Sequence, residues 1–438
     1  TRAKGRLTDS DRRVFGFDFD PYVTGPVDLD VLWTERRGGN GEVAMDVKLD
    51  GAQLALSELD WLKPRGPPAT ARLELGIVGG ALRRIDTYRL EAPGFQASGR
   101  GAVAPGTQSF ERLEFDTLRT GRTDIKGVFL RDPSAGIAFE VTGKNFDAGP
   151  LLRDETPPAP DRPRLRVKAE IERVHLGPER YIDAVYLDGT RGTKRWETAE
   201  FGARLPTAGG APNRLNLSLN LGAGRQHLDM RAEDAGVLFK VFDISPNILG
   251  GRLTISGQTD PDQIGQPLVG RFEIMDFRAL NAPALARVLS VALLTGILDR
   301  LTGEGIHFSQ AVGDFVFHDP KLEIKAARAF GSSLGITAKG LVDVDSETLE
   351  LNGMLVPAYA VNSLIGYIPL IGDFIVGGRG GGLFAANYTM PGPRADPRVT
   401  VNPLSALAPG FVRSLFGLLP PGTPIDADDP SRRPGTDR

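Results

Sequence analysis

The 438-residue sequence contains no cysteine, so disulfide bonds and thiolate metal sites are excluded. Aromatic residues make up only 7% of the chain, and the formal net charge is only -3. This charge argues against a general affinity for nucleic acid or an anionic membrane. The longest apolar segments, Val288–Leu298 and Leu364–Val376, are shorter than the roughly 18 residues that a membrane-spanning helix needs.

Motifs that support catalysis are also missing. Neither Ser309 nor Ser333 lies in the G-x-S-x-G frame of a nucleophile elbow. The glycine-rich run Gly377–Gly382 lacks the Lys and Ser/Thr that follow a phosphate-binding loop. The four histidines show no spacing typical of zinc sites: His175, His227, His307 and His318. We therefore predict a protein that is not an enzyme and that has no cofactor and no metal site.

Alternating apolar and polar residues dominate the chain. The runs Val27–Trp33, Arg164–Glu172 and Leu215–Leu221 are examples of this period of two. The pattern is typical of half-buried antiparallel strands, and about twenty such runs are separated by turn residues. Helices are few. The best candidate is one amphipathic helix near 283–303, with Pro283 in its first turn.

The pattern predicts the following organisation. Four prolines among charged residues favour a linker, and the polar C-terminus favours disorder. A weak internal repeat relates Asn145–Asp154 to Ala232–Val241, since each contains Asp-Ala-Gly followed by an apolar pair. The predicted segments are β repeats truncated on their N-terminal side (1–152), a Pro-rich linker (153–164), β repeats (165–281), an amphipathic helix (282–305), a C-terminal region with short apolar helices (306–419) and a disordered tail (420–438).

These strands would have one apolar face and too few helices to cover it. The sheet must either fold on itself as a sandwich or barrel, or stay open as a groove that holds an apolar ligand. For any single residue, packing in a closed core is the alternative to lining a groove. The candidate lining residues are Val167, Ile171, Leu215, Leu217, Leu219, Leu221, Ile336, Leu349, Leu351 and Leu355.

The C-terminal third resembles a known family. The runs "VPAYAVNSLIGYIPLIG" and "DPRVTVNPLSALAPGFVRSLF" are the most specific parts of a match that covers Gly305–Gly353 and Val356–Phe416. They resemble the C-terminal region of the AsmA-like family, in particular its large YhdP-type members in Gram-negative bacteria. Residues 1–280 resemble the central β repeats of the family more loosely.

The resemblance implies a fold and a function. Family members are anchored in the inner membrane by an N-terminal helix, which this chain lacks, and a long β-rich body extends through the periplasm towards the outer membrane. The expected fold is mainly β, a long antiparallel repeating β-groove, taco-like in cross-section, with a few short helices. The expected function is non-enzymatic, bridge-like transport of phospholipid between the inner and outer membranes, with acyl chains held in the apolar groove.

Other interpretations remain open at this point. The chain could be a periplasmic scaffold or assembly factor that acts on outer-membrane proteins by β-strand augmentation, a role linked to TamB-type relatives. Envelope proteins at either end are possible partners, whereas nucleic acid is not expected. The apolar residues near the C-terminus could cap the groove or contact a membrane: Leu364, Ile365, Ile368, Leu370, Ile371, Phe374, Phe411 and Phe416.

Overall fold

The fold is described from a computed structural model of the chain. The structure describes residues 1–404 except 15–21, 37–38, 106–108, 133–135, 154–161, 194, 208–212, 223, 260–264, 292–294, 319, 358–384 and 395.

Strands make up most of the described chain. They are β1 (Arg2–Leu7), β2 (Val23–Thr24), β3 (Val27–Arg36), β4 (Asn40–Lys48), β5 (Gln53–Leu56), β6 (Trp61–Lys63), β7 (Thr70–Val78), β8 (Ala81–Ala92), β9 (Phe95–Val103), β10 (Phe110–Thr120), β11 (Thr123–Asp132), β12 (Gly136–Asp147), β13 (Leu165–His175), β14 (Tyr181–Arg191), β15 (Trp196–Arg204), β16 (Arg214–Gly222), β17 (Arg225–Ala232), β18 (Ile248–Thr259), β19 (Leu268–Ala279), β20 (Ile306–His318), β21 (Lys321–Phe330), β22 (Leu334–Asp343), β23 (Thr348–Pro357), β24 (Ala385–Pro393) and β25 (Thr400–Leu404).

The described helices are short. They are α1 (Asp9–Val14), α2 (Gly149–Leu152), α3 (Ala235–Val241), α4 (Pro283–Val291) and α5 (Thr295–Thr302), and Ser57–Leu59 form a 3₁₀ turn. The single helix predicted near 283–303 is therefore described as two helices. Both copies of the Asp-Ala-Gly repeat lie directly after a strand, and each leads into a helix, α2 or α3.

Twenty-two of the strands belong to one open sheet that does not close into a barrel, and β2, β5 and β6 form a small second sheet. This confirms the predicted mainly β, antiparallel architecture with few short helices. One neighbouring pair, β12 and β13, is parallel. A parallel pair needs a crossover of about a dozen residues or more, and residues 148–164 provide that length.

The chain divides into two compact units. Unit 1 comprises Thr1–Ala232 and Val237–Ile244, and unit 2 comprises Glu233–Gly236 and Ser245–Arg438. The segment 153–164, predicted as a linker between two β regions, lies within unit 1. The strands on either side of it, β12 and β13, are hydrogen-bonded neighbours. The tail at 420–438 lies outside the described residues.

In unit 1, neighbouring strands follow the order β1, β3, β4, then β7 to β17. The small sheet and the described short helices of unit 1 are connected to the same ends of these strands. We call this end of the sheet the closed end. Trp61 of the small sheet packs against Phe95 there, with ring centroids 4.5 Å apart. The buried ammonium of Lys63 donates to the carbonyls of Leu49 and Ala52 at 2.9 Å each.

Unit 2 contains β18 to β25 in sequential antiparallel pairing. Helices α4 and α5 connect the end of β19 to the start of β20. At these same strand ends the rings of Phe277 and Phe308 stack, with centroids 5.1 Å apart. Leu289 and Leu301 are both 0% exposed. Unit 2 therefore also has a closed end, where helices cover one end of its strands.

Candidate functional site

The main feature of unit 1 is a continuous apolar face across β10 to β17. Because successive side chains of a strand point to opposite faces, residues opposite each other in register lie side by side on one face. Two such rows are almost entirely apolar. One runs through Leu113, Phe129, Phe139, Val167, Gly189, Ala199, Leu219 and Leu228, and the other through Phe115, Gly127, Val141, Ala169, Leu187, Phe201, Leu217 and Met230.

Burial on this face changes along each strand, as β16 shows. Leu215, near the closed end, is 2% exposed, whereas Leu221, at the other end, is 61% exposed. Leu217 and Leu219, between them, are half-buried. The same face of β13 has a half-buried Val167 and a buried Ile171 nearer the closed end. The face is therefore a packed core at the closed end and a lined but uncovered surface at the opposite end, which we call the open end.

Aromatic rings lie over glycines of neighbouring strands on the sheet. A Cβ at Gly127 would lie 2.9 Å from the ring of Phe115, the residue opposite it. A Cβ at Gly270 would lie 2.6 Å from the ring of Phe315, again opposite. The glycine leaves room for the ring, and the ring covers the bare backbone.

Two tyrosines use the same space to reach across a strand. Tyr88 lies opposite Gly99, and its hydroxyl donates to the carbonyl of Glu114 on the next strand at 3.0 Å. Tyr388 lies opposite Gly353 and donates to the carbonyl of Thr337 at 2.6 Å. Burial raises the pKa of Tyr88 to about 12, and burial also raises the pKa of Tyr388. Both phenols therefore stay neutral donors well above pH 7.

An open cavity of about 700 Å³ lies on the apolar face of unit 1. Its polar lining is limited to Tyr22, Glu58, Tyr88 and Arg89. The remaining lining is Leu56, Leu59, Ala71, Leu73, Ile85, Leu90, Ala97, Phe110, Leu113, Phe115, Leu118, Phe129 and Phe139. Its size is that of a small-molecule site, but its lining offers no convergent set of reactive groups.

The opposite face of the same strands is charged. In β13, Arg166, Lys168, Glu170 and Glu172 are all exposed. Cross-strand ion pairs are frequent, such as Arg173 with Asp183, whose nearest N and O atoms are 2.7 Å apart. Because such exposed pairs contribute little stability, the charged face serves mainly to keep this side of the sheet in water. The two faces of the sheet therefore have opposite chemistry.

The predicted lining residues of unit 2 also share one face. Ile336 in β22 lies opposite Leu355 in β23. Leu349 and Leu351 precede Leu355 in β23 at even spacings, so they lie on the same face. Leu355 is 0% exposed beside the closed end, whereas Ile336, Leu349 and Leu351 are half-buried. The structure thus places these four side chains on one face and repeats the burial gradient of unit 1.

Sequence reasoning missed much of the lining. Phe115, Phe129, Phe139, Leu187 and Phe201 belong to the apolar rows but were not among the candidates. The recurring strand–Gly–strand pattern was a partial signal: of Gly99, Gly257 and Gly340 in these runs, only Gly99 faces an aromatic residue, Tyr88.

Several expected features fall outside the description. The candidate cap or membrane-contact residues, Leu364 to Phe374 with Phe411 and Phe416, lie outside the described residues. Within the described ranges, no helix is long and apolar enough to cross a membrane. In the same ranges, no group of three or more His, Asp and Glu side chains is placed to hold a metal ion. No family model, no curated protein and no solved structure matches the chain.

Proposed function

We propose that this chain is part of a non-enzymatic, bridge-like conduit that carries phospholipid between the inner and outer membranes of a Gram-negative bacterium. The apolar face holds the acyl chains, and the headgroups remain in water at the open end. The periplasmic location, and anchoring to the inner membrane by a helix outside this chain, follow from the resemblance to the AsmA-like family.

The burial gradient of the four leucines in β16 carries this proposal. A closed β-sandwich would bury all four, but only Leu215 is fully packed and Leu221 is 61% exposed. The rows through Leu217 and Leu219 continue across eight strands, from β10 to β17. A face of this kind offers the same aliphatic and aromatic contact at every strand.

Uniform apolar contact is what acyl-chain transport needs. Each buried CH₂ contributes about 0.8 kcal/mol, and this contribution does not depend on precise geometry. A lipid therefore remains bound while its chains slide from one strand to the next. Directed hydrogen bonds to the acyl-chain path itself would instead hold the chains at one position, so polar groups are compatible with transport only at the open end, beside the headgroups.

The decisive experiment places charge on the apolar face. We expect Leu217→Glu with Leu219→Glu to lower the transfer of fluorescent phospholipid between two vesicle populations by about tenfold or more. An acyl chain that passes over these positions would have to displace water from two carboxylates, and this loss of hydration costs free energy. Both positions are half-buried, so the fold should survive, which circular dichroism and thermal melting check.

The matched control places two carboxylates on the opposite face. Asn216 and Thr142 are exposed there, and they lie opposite Arg231 and Lys126. Asn216→Glu with Thr142→Glu should leave transfer unchanged. Undiminished transfer by the Leu217/Leu219 variant would show that these rows do not line the path.

The scaffold role receives less support from the described edge strands. Among the described strands, β1 pairs only with β3, and its Arg2, Lys4 and Arg6 are charged. β25 pairs only with β24 and contains Pro403, which has no backbone N–H to donate. Charges and proline are features that discourage strand addition at a sheet edge.

A further inference from the structure

The open end of unit 1 carries a cluster of arginines, which we call the mouth cluster. It comprises Arg162, Arg164, Arg191 and Arg195, at the ends of β13 to β15. Glu197 lies among them and forms an ion pair with Arg164. The cluster therefore places four guanidinium groups beside one carboxylate where the apolar face meets water.

Arg191 is the member that belongs to the apolar face. It follows Val185, Leu187 and Gly189 at every second position of β14, so its side chain starts on their face. Its neighbour in register is the apolar Leu165 of β13. Arg131 of β11 lies in the same row, because it is opposite Ile137 and Ile137 is opposite Leu165, so this row carries two arginines at the open end.

The guanidinium of Arg191 is incompletely satisfied. Its Nη2 donates to the carbonyl of Pro163 at 3.3 Å. Its Nε is buried and has no hydrogen-bond partner among the described residues. Arg83, near the open end of β8 and two residues before Ile85, likewise has a buried Nη1 with no such partner. A buried guanidinium donor without an acceptor is costly, and an anionic oxygen would satisfy it.

Unit 2 offers an internal comparison. The row at the end of its strands remote from α4 and α5 runs through Thr259, Leu268, Phe317, Leu322, Val342 and Leu349. None of these residues is charged. Arginine at this level is therefore not required by the sheet itself.

We propose that Arg191 and the mouth cluster bind the phosphate of a phospholipid whose acyl chains lie on the adjacent rows through Val167 and Leu187. This inference rests on the proposed function, which already names phospholipid, and adds the residues that hold the phosphate of that lipid. A guanidinium offers two parallel N–H donors that match two phosphate oxygens, which an ammonium cannot do. Trp196, whose ring lies over Gly189, forms an apolar edge beside the phosphate.

Calorimetric titration of the full chain tests this assignment with three probes: dihexanoyl phosphatidylglycerol, dihexanoylglycerol and inorganic phosphate. The variant is Arg191→Gln. The control is Arg166→Gln, which removes a charge from the exposed opposite face of β13. We expect Arg191→Gln to weaken phosphatidylglycerol binding about tenfold and to leave dihexanoylglycerol binding unchanged, since hydrogen bonds to a charged group are lost. Arg166→Gln should change neither.

Other outcomes overturn the inference. An equal loss for both lipids, or no loss, would show that Arg191 does not recognise phosphate on a lipid. Arg191-dependent binding of inorganic phosphate with unchanged lipid binding would assign the site to the free ion. If the unsubstituted chain binds neither lipid, the conduit itself fails. Arg191→Lys provides a second measurement should the glutamine variant not fold. Lysine retains the positive charge but not the two parallel N–H donors of the guanidinium, so this variant must still weaken phosphatidylglycerol binding and leave dihexanoylglycerol binding unchanged.

Discussion

At the scale of single residues, the glycines within strands determine what the apolar face can be. A ring or phenol lies opposite a glycine in the pairs Tyr88 with Gly99, Phe115 with Gly127, Phe272 with Gly313, Phe315 with Gly270, and Tyr388 with Gly353. In each pair a methyl group on the glycine would collide with the ring or with backbone. These glycines therefore act through close approach, and none of them needs a positive φ.

Gly99 gives a direct test. A Cβ there would collide with the carbonyl oxygen of Glu114 and lie 2.9 Å from the hydroxyl of Tyr88. We expect Gly99→Ala to lower the free energy of unfolding by about 1–3 kcal/mol, the usual cost of overpacking, as measured by chemical denaturation. Gly5→Ala is the control, because nothing lies within 4 Å of a Cβ at Gly5. Equal stability of the two variants would contradict this role of Gly99.

At the scale of elements, short helices and the small sheet close one end of the strands and leave the other end open. In unit 1 this role belongs to Trp61 and its neighbours, and in unit 2 to α4 and α5. Each unit obtains a packed core at one end only. Stability and an accessible apolar surface are thus located at opposite ends of the same strands.

The helix α5 should therefore matter for stability out of proportion to its length. Leu301 is 0% exposed, and its truncation to alanine should lower the free energy of unfolding by about 2–5 kcal/mol, the range for large-to-small core substitutions. Leu249→Ala is the matched control, since Leu249 is 44% exposed. Denaturant titration measures both. A loss for Leu301→Ala no larger than that for Leu249→Ala would mean that α5 does not complete the core.

At the scale of the whole molecule, the two units share one design. In each, most neighbouring strands are antiparallel and follow the sequence order, with the parallel pair β12 and β13 of unit 1 as the exception. Each also has a closed end covered by short helices or a small sheet, and a half-buried apolar face towards the other end. The Asp-Ala-Gly repeat recurs where a strand passes into a helix, after β12 and after β17. Each unit therefore presents an apolar face of its own, and the second unit adds no new kind of site.

An extended face predicts a different lipid stoichiometry from an enclosed pocket. A pocket holds one ligand, whereas rows that continue from β10 to β17, and again in unit 2, offer room for several. We expect native mass spectrometry of detergent-free protein to show a distribution of bound phospholipids that exceeds one per chain. A sharp limit of one lipid at saturating lipid would instead locate binding in the 700 Å³ cavity alone.

Much of the architecture was predictable from particular residues. The alternation in Leu215–Leu221 and Leu349–Leu355 predicted strands with one apolar face, and both runs form such strands. The helix near 283–303 was predicted as one element and is described as two. The function, the phospholipid ligand and the resemblance to the AsmA-like family remain predictions that the experiments above address.

What the sequence by itself determined is local: which stretches become strands and which side chains share a face. The pleat of the backbone sets that period of two whatever the strand's neighbours are. Only the tertiary structure decided that β12 and β13 lie side by side, that Leu215 is packed while Leu221 is exposed, and that the buried Nε of Arg191 has no hydrogen-bond partner among the described residues. These features depend on strand partners and covering elements that are far away in the sequence, and a local pattern of residues does not determine which distant segments come into contact.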